Sequence, residues 1–340
     1  MVIITSYLLA VIMCVITMMC WGSWANTQKL VSSKNWPFQL FYWDYSIGVF
    51  VMALIFALTL GSIGSEGRPF FIDLGQAASE AISSAFIGGV IFNLSNILLV
   101  IAIEIAGMAV AFPIGVGLAL VIGVVANYIP DPVGNPIILF SGVALIVVAM
   151  IFSAVAYKKL QANNSSGKSA NVVKGIVVSL LAGILMGTFF RFVMASIGTS
   201  DYASLIPGKL SPYSAITVFS LGLMLSSLIW NTINMYKPVT GSPCTYKDYM
   251  TKGSFYTHFV GIVGGVIWCI GNAFSIIASS AAGPSISYGL GQGATLVAAI
   301  WGVFIWKEFK NAPKGTNKML FLMFAGYIIG LILIIISRYA

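Results

Sequence analysis

Ten apolar segments, each about 20 residues long, divide this 340-residue chain, and about that length is needed for a helix to cross a bilayer. They run near Ile3–Trp24, Phe38–Leu60, Ala81–Ile103, Met108–Ile129, Ile137–Tyr157, Gly175–Ile197, Pro212–Ile233, Phe255–Ala278, Ser285–Trp306 and Lys318–Ile336. Hydrocarbon offers no water to bond backbone N–H and C=O groups, and unbroken apolar runs of this length satisfy them as helices. The expected fold class is an all-α polytopic membrane protein with ten transmembrane helices. Only 8% of the residues are charged and the mean hydropathy is +0.98, whereas soluble domains carry about a quarter charged residues. No polar stretch is long enough for a separate soluble domain. The net charge of +8 therefore marks loops on one side of a membrane and not a nucleic-acid partner. The first segment lacks a basic leader and a small-residue cleavage site, so it is read as a membrane helix and not as a removed signal. Cys14, Cys20 and Cys269 fall in spans and Cys244 in a loop, spacings that indicate neither a disulfide framework nor a zinc site.

The stretch from Gly88 to Leu120 is written again from Gly264 to Leu296, with 12 identities over 33 positions and no gap. Gly88-Gly89-Val90-Ile91 falls on Gly264-Gly265-Val266-Ile267, Asn96 on Asn272, Gly107 on Gly283, and Gly115 and Gly117 on Gly291 and Gly293. The copies occupy spans 3–4 and 8–9, an odd number apart, so they run in opposite directions. A fainter echo sets Gly22-Ser23-Trp24 of span 1 against Gly187-Thr188-Phe189 of span 6. The expectation is two inverted five-helix repeats: residues 1–157, a cytoplasmic linker 158–174, and residues 175–340. Inverted halves can present one central site to either side of a membrane in turn, the plan of many secondary transporters.

Thirteen of the 17 basic residues follow odd-numbered spans, among them Lys29, Lys34, Lys158, Lys159, Lys252, Lys307 and Lys318; only Arg68, Lys209 and Arg338 lie on the other side, and Arg191 sits within span 6. The positive-inside rule then places the odd-numbered loops in the cytoplasm and both termini outside a cell (inner) membrane.

The chain resembles the drug/metabolite transporter superfamily, and within it the ureide permease group of nucleobase and ureide transporters, with bacterial sugar-uptake members as near relatives. Trp21-Gly22-Ser23-Trp24, Tyr42-Trp43-Asp44-Tyr45-Ser46, Leu60-Gly61-Ser62-Ile63-Gly64-Ser65, Gly88-Gly89 with Asn93, Ser95 and Asn96, and Trp301-Gly302 before Lys307-Glu308-Phe309 carry the likeness. It implies ten helices in two inverted halves and a secondary active transporter of a small neutral metabolite such as allantoin, uracil or xanthine. Proton-coupled uptake by alternating access is the implied mechanism. A monosaccharide symporter or an exporter of drugs and metabolites are the alternatives. Ureide permeases tend to carry a phosphate-loop-like stretch in the linker; here Ala162 stands where its first Gly belongs, before Asn163-Asn164-Ser165-Ser166-Gly167-Lys168-Ser169. A working phosphate loop needs a preceding strand and a following helix, so no nucleotide hydrolysis is expected.

Polar groups in hydrocarbon face a neighbouring helix or a watery cavity. Asn96 and Asn272 hold equivalent mid-helix positions, and their amides both donate and accept, which suits a neutral solute rich in hydrogen bonds; alternatively they tie helices together. Asn93 shares the face of Asn96. Arg191, which corresponds to Asn26 in the echo, requires a carboxylate, helix-end carbonyls or a substrate carbonyl, or else snorkels to the surface. Gln292 between Gly291 and Gly293 meets another helix or the solute. Trp21, Trp24 and Trp268 can stack on a planar ring or anchor at the interface. Asp44 is the proton-coupling candidate, because a partly desolvated carboxylate exchanges protons near neutral pH; in the other reading it wets a helix end inside an aromatic belt. Glu104, at the cytoplasmic end of span 3, is a second candidate or else an interfacial residue, and His258 is read as interfacial. One histidine and nine acidic residues without clustered ligands argue against an enzyme. No cofactor is expected, a proton gradient being the driving force. The expected partners are the solute and the lipid bilayer, and a homodimer is compatible with the sequence.

Overall fold

The computed structural model describes residues 1–32, 34–163, 172–239 and 241–340. It is all helical among those residues, with ten helices long and apolar enough to cross a membrane. These spans are Tyr7–Ser32, Phe38–Leu58, Ser79–Ala106, Val110–Tyr128, Pro136–Leu160, Val173–Ile197, Pro212–Tyr236, Phe255–Ala282, Pro284–Ile305 and Thr316–Ile336. The sequence boundaries differ from these mainly at span 1, which starts later and continues through the polar helix Ala25–Ser32. The first six residues precede the helix, Val2 N–H donating to Leu60 C=O, and extended Ser6 caps the helix by accepting from Leu9 N–H. The linker falls between a helix ending at Asn163 and one starting at Val172; the phosphate-loop-like stretch at 162–169 lies largely outside the described residues.

Two turns are shorter than the sequence indicates. Span 3 remains helical through Glu104 to Ala106, and Gly107 alone (φ 79°) reverses the chain into the helix from Met108. Span 8 likewise runs to Ala282, and Gly283 (φ 81°) reverses it into Pro284. A positive φ with no Cβ lets one residue end a helix, so the connections 104–107 and 279–284 left between the expected spans shrink to equivalent glycines of the sequence repeat.

The main packing partners are unchanged when each span is exchanged for the one five places along. Span 3 lies on spans 6 and 7, and span 8 on spans 1 and 2; span 4 packs on 6 as 9 packs on 1; 5 pairs with 10, and 2 with 7. Glycines set the closest approaches. A Cβ on Gly89 would stand 1.9 Å from Phe219 O and one on Gly222 2.2 Å from Phe86 O; one on Gly265 would stand 2.0 Å from Tyr45 O and one on Gly48 2.2 Å from Ile262 O. Small residues let membrane helices meet backbone to backbone, and both crossings use the device. Short helices precede spans 3 and 8 at matching places, Phe70–Gln76 and Tyr246–Lys252.

Spans 4 and 9 hold equivalent places but bend differently. Span 4 carries Pro113, whereas span 9 breaks after Gly291, resumes at Ala294 and closes in a π-turn at Trp301–Ile305. The Met1 amine bonds Glu66 C=O and Asn135 N–H bonds Ser337 C=O, so both ends of the chain sit with the even-numbered loops. That end is called the terminal end here, and the opposite one the lysine-rich end.

Candidate functional site

The equivalent residues Phe92 of span 3 and Trp268 of span 8 meet at the centre of the molecule, ring centroids 4.4 Å apart. Trp268 is also stacked on Trp21 at 6.1 Å and on Phe219 at 6.1 Å, with Tyr45 edge-on at 6.3 Å. Trp24 and Tyr42 extend the cluster through Tyr45, at 4.8 and 5.1 Å. Residues four apart share a helical face, so Asn96 follows Phe92 toward the lysine-rich end and Asn272 follows Trp268 toward the terminal end. One amide therefore flanks the aromatic centre on either side.

The two amides differ in satisfaction. Asn96 Nδ2 donates to Tyr42 OH at 3.2 Å. Asn272 is buried, and neither its Nδ2 nor its Oδ1 has a hydrogen-bond partner among the described residues; the same holds for Tyr45 OH and the Trp21 indole N–H. Gly271 and Gly291 bracket the Trp21 ring, their positions 2.8 and 2.9 Å from its Cδ1 and Cζ3 when a Cβ is placed there. Each unmet buried polar group costs about 1–3 kcal/mol. Three such side chains around one aromatic cluster present donors and acceptors together, a match for a planar, neutral, hydrogen-bonding solute.

The other sequence candidates fall elsewhere. Asn93 donates to Ser226 at 2.8 Å and Ser227 at 3.2 Å, tying span 3 to span 7. Gln292 is buried at the break of span 9. Asn26 is held at the lysine-rich end, its Oδ1 accepting from Trp306 Nε1 at 2.6 Å and its Nδ2 donating to Ser23 C=O. There it lines a cavity of about 370 Å³ with Trp301, Tyr157 and Glu308. Lys29 and Glu308 pair across it at 2.7 Å. Arg191 instead lines a cavity of about 480 Å³ at the terminal end. Glu104 is exposed at the lysine-rich end of span 3.

Asp44 faces away from the aromatic cluster, toward span 8 and the Tyr246–Lys252 helix. Its Oδ1 accepts from Tyr249 OH at 2.6 Å and lies 2.9 Å from His258 Nδ1, while Oδ2 is buried without a partner among the described residues. Burial, then the neighbouring Asp44 carboxylate, pushes the Tyr249 phenol upward, so Tyr249 stays a donor. His258 packs edge-on against Trp36 and Tyr249; its place in the sequence indicates an interfacial residue and carries no sign of the pairing with Asp44. Tyr42, Tyr45, Phe92 and Phe219 were also missed. Phe92 was findable, because the repeat already set it opposite Trp268.

The family model described as ureide permease matches residues 41–172 and 163–337. Ureide permease 1 of Arabidopsis thaliana is 24% identical over 371 residues, 93% of each chain. Ureide permease 2 of the same plant is 24% identical over 365 residues, 89% of this chain and 90% of its own. A Listeria innocua relative whose name refers to sugar uptake is 24% identical over 285 residues, 82% of this chain and 85% of its own. In fold, one crystal structure superimposes on 97% of this chain and 98% of its own with a TM-score of 0.57 at 14% identity.

Proposed function

The chain belongs to the ureide permease family, a family of membrane transporters and not enzymes, and from that premise we propose that it carries a small neutral ureide or nucleobase, such as allantoin, uracil or xanthine, through its centre. The observation that carries this reading is the buried amide of Asn272, which has no hydrogen-bond partner among the described residues, as is also true of Tyr45 OH and the Trp21 N–H of the Phe92–Trp268 aromatic cluster. Trp268 and Trp21 stack on the solute ring, Asn272 and Asn96 read its carbonyl and N–H groups, and Trp24 closes one side. Two five-helix halves in inverted orientation, 1–157 and 175–340, open the centre alternately to each end. The symmetric packing partners and the paired glycine reversals at Gly107 and Gly283 support that arrangement. The lysine-rich end faces the cytoplasm and both termini the outside of the cell membrane, an orientation supported by the distribution of Lys and Arg.

Uptake draws on the proton gradient through Asp44, with no bound cofactor. His258 and Tyr249 are the titratable groups against it, one on span 8 and one on the adjoining short helix. Glu104, exposed beyond the end of this path, has a lesser part. Monosaccharide uptake is the second reading, supported by the Listeria relative and by tryptophan faces that suit a sugar ring.

The test is counterflow in vesicles containing the purified protein, with allantoin, uracil, xanthine and glucose compared. Saturable exchange of a ureide or nucleobase is expected, lost in Asn272→Leu. Exchange of glucose alone selects the second reading, and exchange of none of the four overturns both. Asp44→Asn is expected to keep counterflow and lose accumulation driven by a pH gradient.

A further inference from the structure

The terminal-end cavity lies between the ends of spans 4 and 6 and the start of span 9, lined by Asn127, Asp131, Arg191, Ser200, Lys209 and Pro284 among others. Two of its side chains have unmet hydrogen-bonding capacity of opposite kinds. Arg191 makes no hydrogen bond or ion pair among the described residues, although a guanidinium presents five donors in a planar fork. Asn127, 1% exposed, donates from Nδ2 to Gly123 C=O at 2.7 Å, yet its Oδ1 is buried with no partner among the described residues. The remaining charges leave this pair free. Lys209 Nζ is taken up by Ala195 C=O at 3.0 Å, and Asp131 stands beyond ion-pair distance of Arg191. The amino end of the helix from Pro284 adds a positive potential.

We infer that this cavity is a second binding site, which holds a ureido or imide group with its carbonyl oxygen on Arg191 and an adjacent N–H on Asn127 Oδ1. A urea or imide edge carries an acceptor beside a donor, the complement of these two side chains. A bare carboxylate would satisfy Arg191 and leave Asn127 unmet. About 480 Å³ is within the usual size of small-molecule sites. The position, at one mouth of the bundle and away from the aromatic centre, makes it a capture site that loads the central one. The ligand class rests on the function proposed above, whereas the site itself rests on Arg191 and Asn127.

Cysteine protection tests it. Ser200 lines the cavity, and the native Cys14, Cys244 and Cys269 are buried and Cys20 partly so, so Ser200→Cys gives a local probe with the unaltered protein as blank. An anionic thiosulfonate is expected to react faster than a cationic one of equal size, and saturating allantoin is expected to slow the reaction about tenfold. Arg191→Gln abolishes the allantoin effect and weakens the charge preference, Arg191→Lys keeps the charge preference but weakens the allantoin effect, and Asn127→Ala weakens allantoin about tenfold, the worth of one hydrogen bond to a charged or buried partner. Asn272→Leu leaves protection intact. Absent protection, with allantoin counterflow intact, overturns this site and leaves the central one standing. Protection that survives Arg191→Gln, or that vanishes in Asn272→Leu, overturns it as well, the latter because the effect would be relayed from the centre. Protection without any counterflow upholds this site and removes the central one.

Discussion

The two copies of the sequence repeat, with the spans packed on them, agree in backbone and part company in chemistry. Where Gly89 and Gly222 bring spans 3 and 7 together, Gly265 and Gly48 bring 8 and 2 together to within a few tenths of an ångström of the same distances. At the functional positions the correspondence stops. Among the described residues, Asn96 has Tyr42 and Asn272 has no partner; Asn26 is held by Trp306 and Ser23, while Arg191, in its cavity, has no hydrogen bond or ion pair. The short helices repeat the lesson. The helix Phe70–Gln76 is pinned at the terminal end by buried Asp73, which accepts from Arg68 Nε at 2.8 Å and from Ser211 N–H at 2.6 Å. The helix Tyr246–Lys252 puts Tyr249 at the matching place and uses it to hold Asp44. Close backbone crossings tolerate no side chain and so constrain both copies alike. A polar side chain answers only to what it touches, and the two ends of a carrier touch different things.

Breaking the shared part has the largest expected effect. Gly89→Val or Gly265→Val would drive a Cβ into a backbone carbonyl, and overpacking of this kind costs about 3 kcal/mol or more. Neither variant is expected to give a folded protein in detergent. Gly117→Ala is the control, since a Cβ there meets only Met150 Sδ at 3.4 Å, an ordinary contact, and its thermal midpoint should stay near that of the parent. If the two clasp variants melt like Gly117→Ala, the crossings are not what holds the halves together.

The glycines show why the scaffold could be read from the sequence and much of the site could not. Ten apolar runs and a gapless repeat identify the spans, and they place Asn96, Asn272 and Trp268 near one another. Spans 2 and 7 also correspond, but through little more than Ser46-Ile47-Gly48 and Ser220-Leu221-Gly222, too short an echo to notice unaided. Tyr45 and Phe219 thus went unread, and the aromatic run from Trp36 to Tyr45 passed for an interfacial belt. The Asp44–His258 pair spans 214 positions, and no local pattern links residues that far apart. Turn lengths failed for a simpler reason: polarity at Glu104 and Ser280 hides the fact that one glycine suffices to reverse the chain.

The pinned ends give the next effects. Arg68→Ala leaves the fully buried Asp73 carboxylate without its cation, a change that costs about 3 kcal/mol. At the other end His258→Ala leaves Asp44 with Tyr249, and about 1 kcal/mol is expected. Guanidinium or thermal melting of both variants ranks them, and a larger loss for His258→Ala would reverse the account of which end is the structural one. The two central amides should then differ in sign. Asn272→Leu removes an unmet amide and is expected to raise stability by about 1 kcal/mol while abolishing counterflow; Asn96→Leu strips Tyr42 of its donor and is expected to lower stability by a similar amount. Equal destabilisation by both would mean that Asn272 is a structural tie after all.

The smallest effect belongs to the exposed capping box at the lysine-rich end, which the terminal-end helix lacks. Asp248 accepts from Lys252 Nζ at 2.7 Å and from Thr245 N–H and Oγ1 at 2.7 and 2.8 Å. These bonds, Lys252 first and Thr245 next, hold its carboxyl at about 2, below the usual 3.8. A carboxyl depressed on folding stabilises above its unfolded value and loses that contribution as pH falls through its folded value. Amide exchange across 246–252 should therefore show local protection that is full at pH 5 and disappears between about pH 4 and pH 2, with Asp248→Asn showing the acid-state protection throughout. The corresponding segment 70–76 is held separately, by buried Asp73 with Arg68 and Ser211 N–H, so Asp248→Asn should leave its protection unchanged. If both segments loosen together, the two ends share a common anchor and the contrast drawn between them fails at its most exposed point.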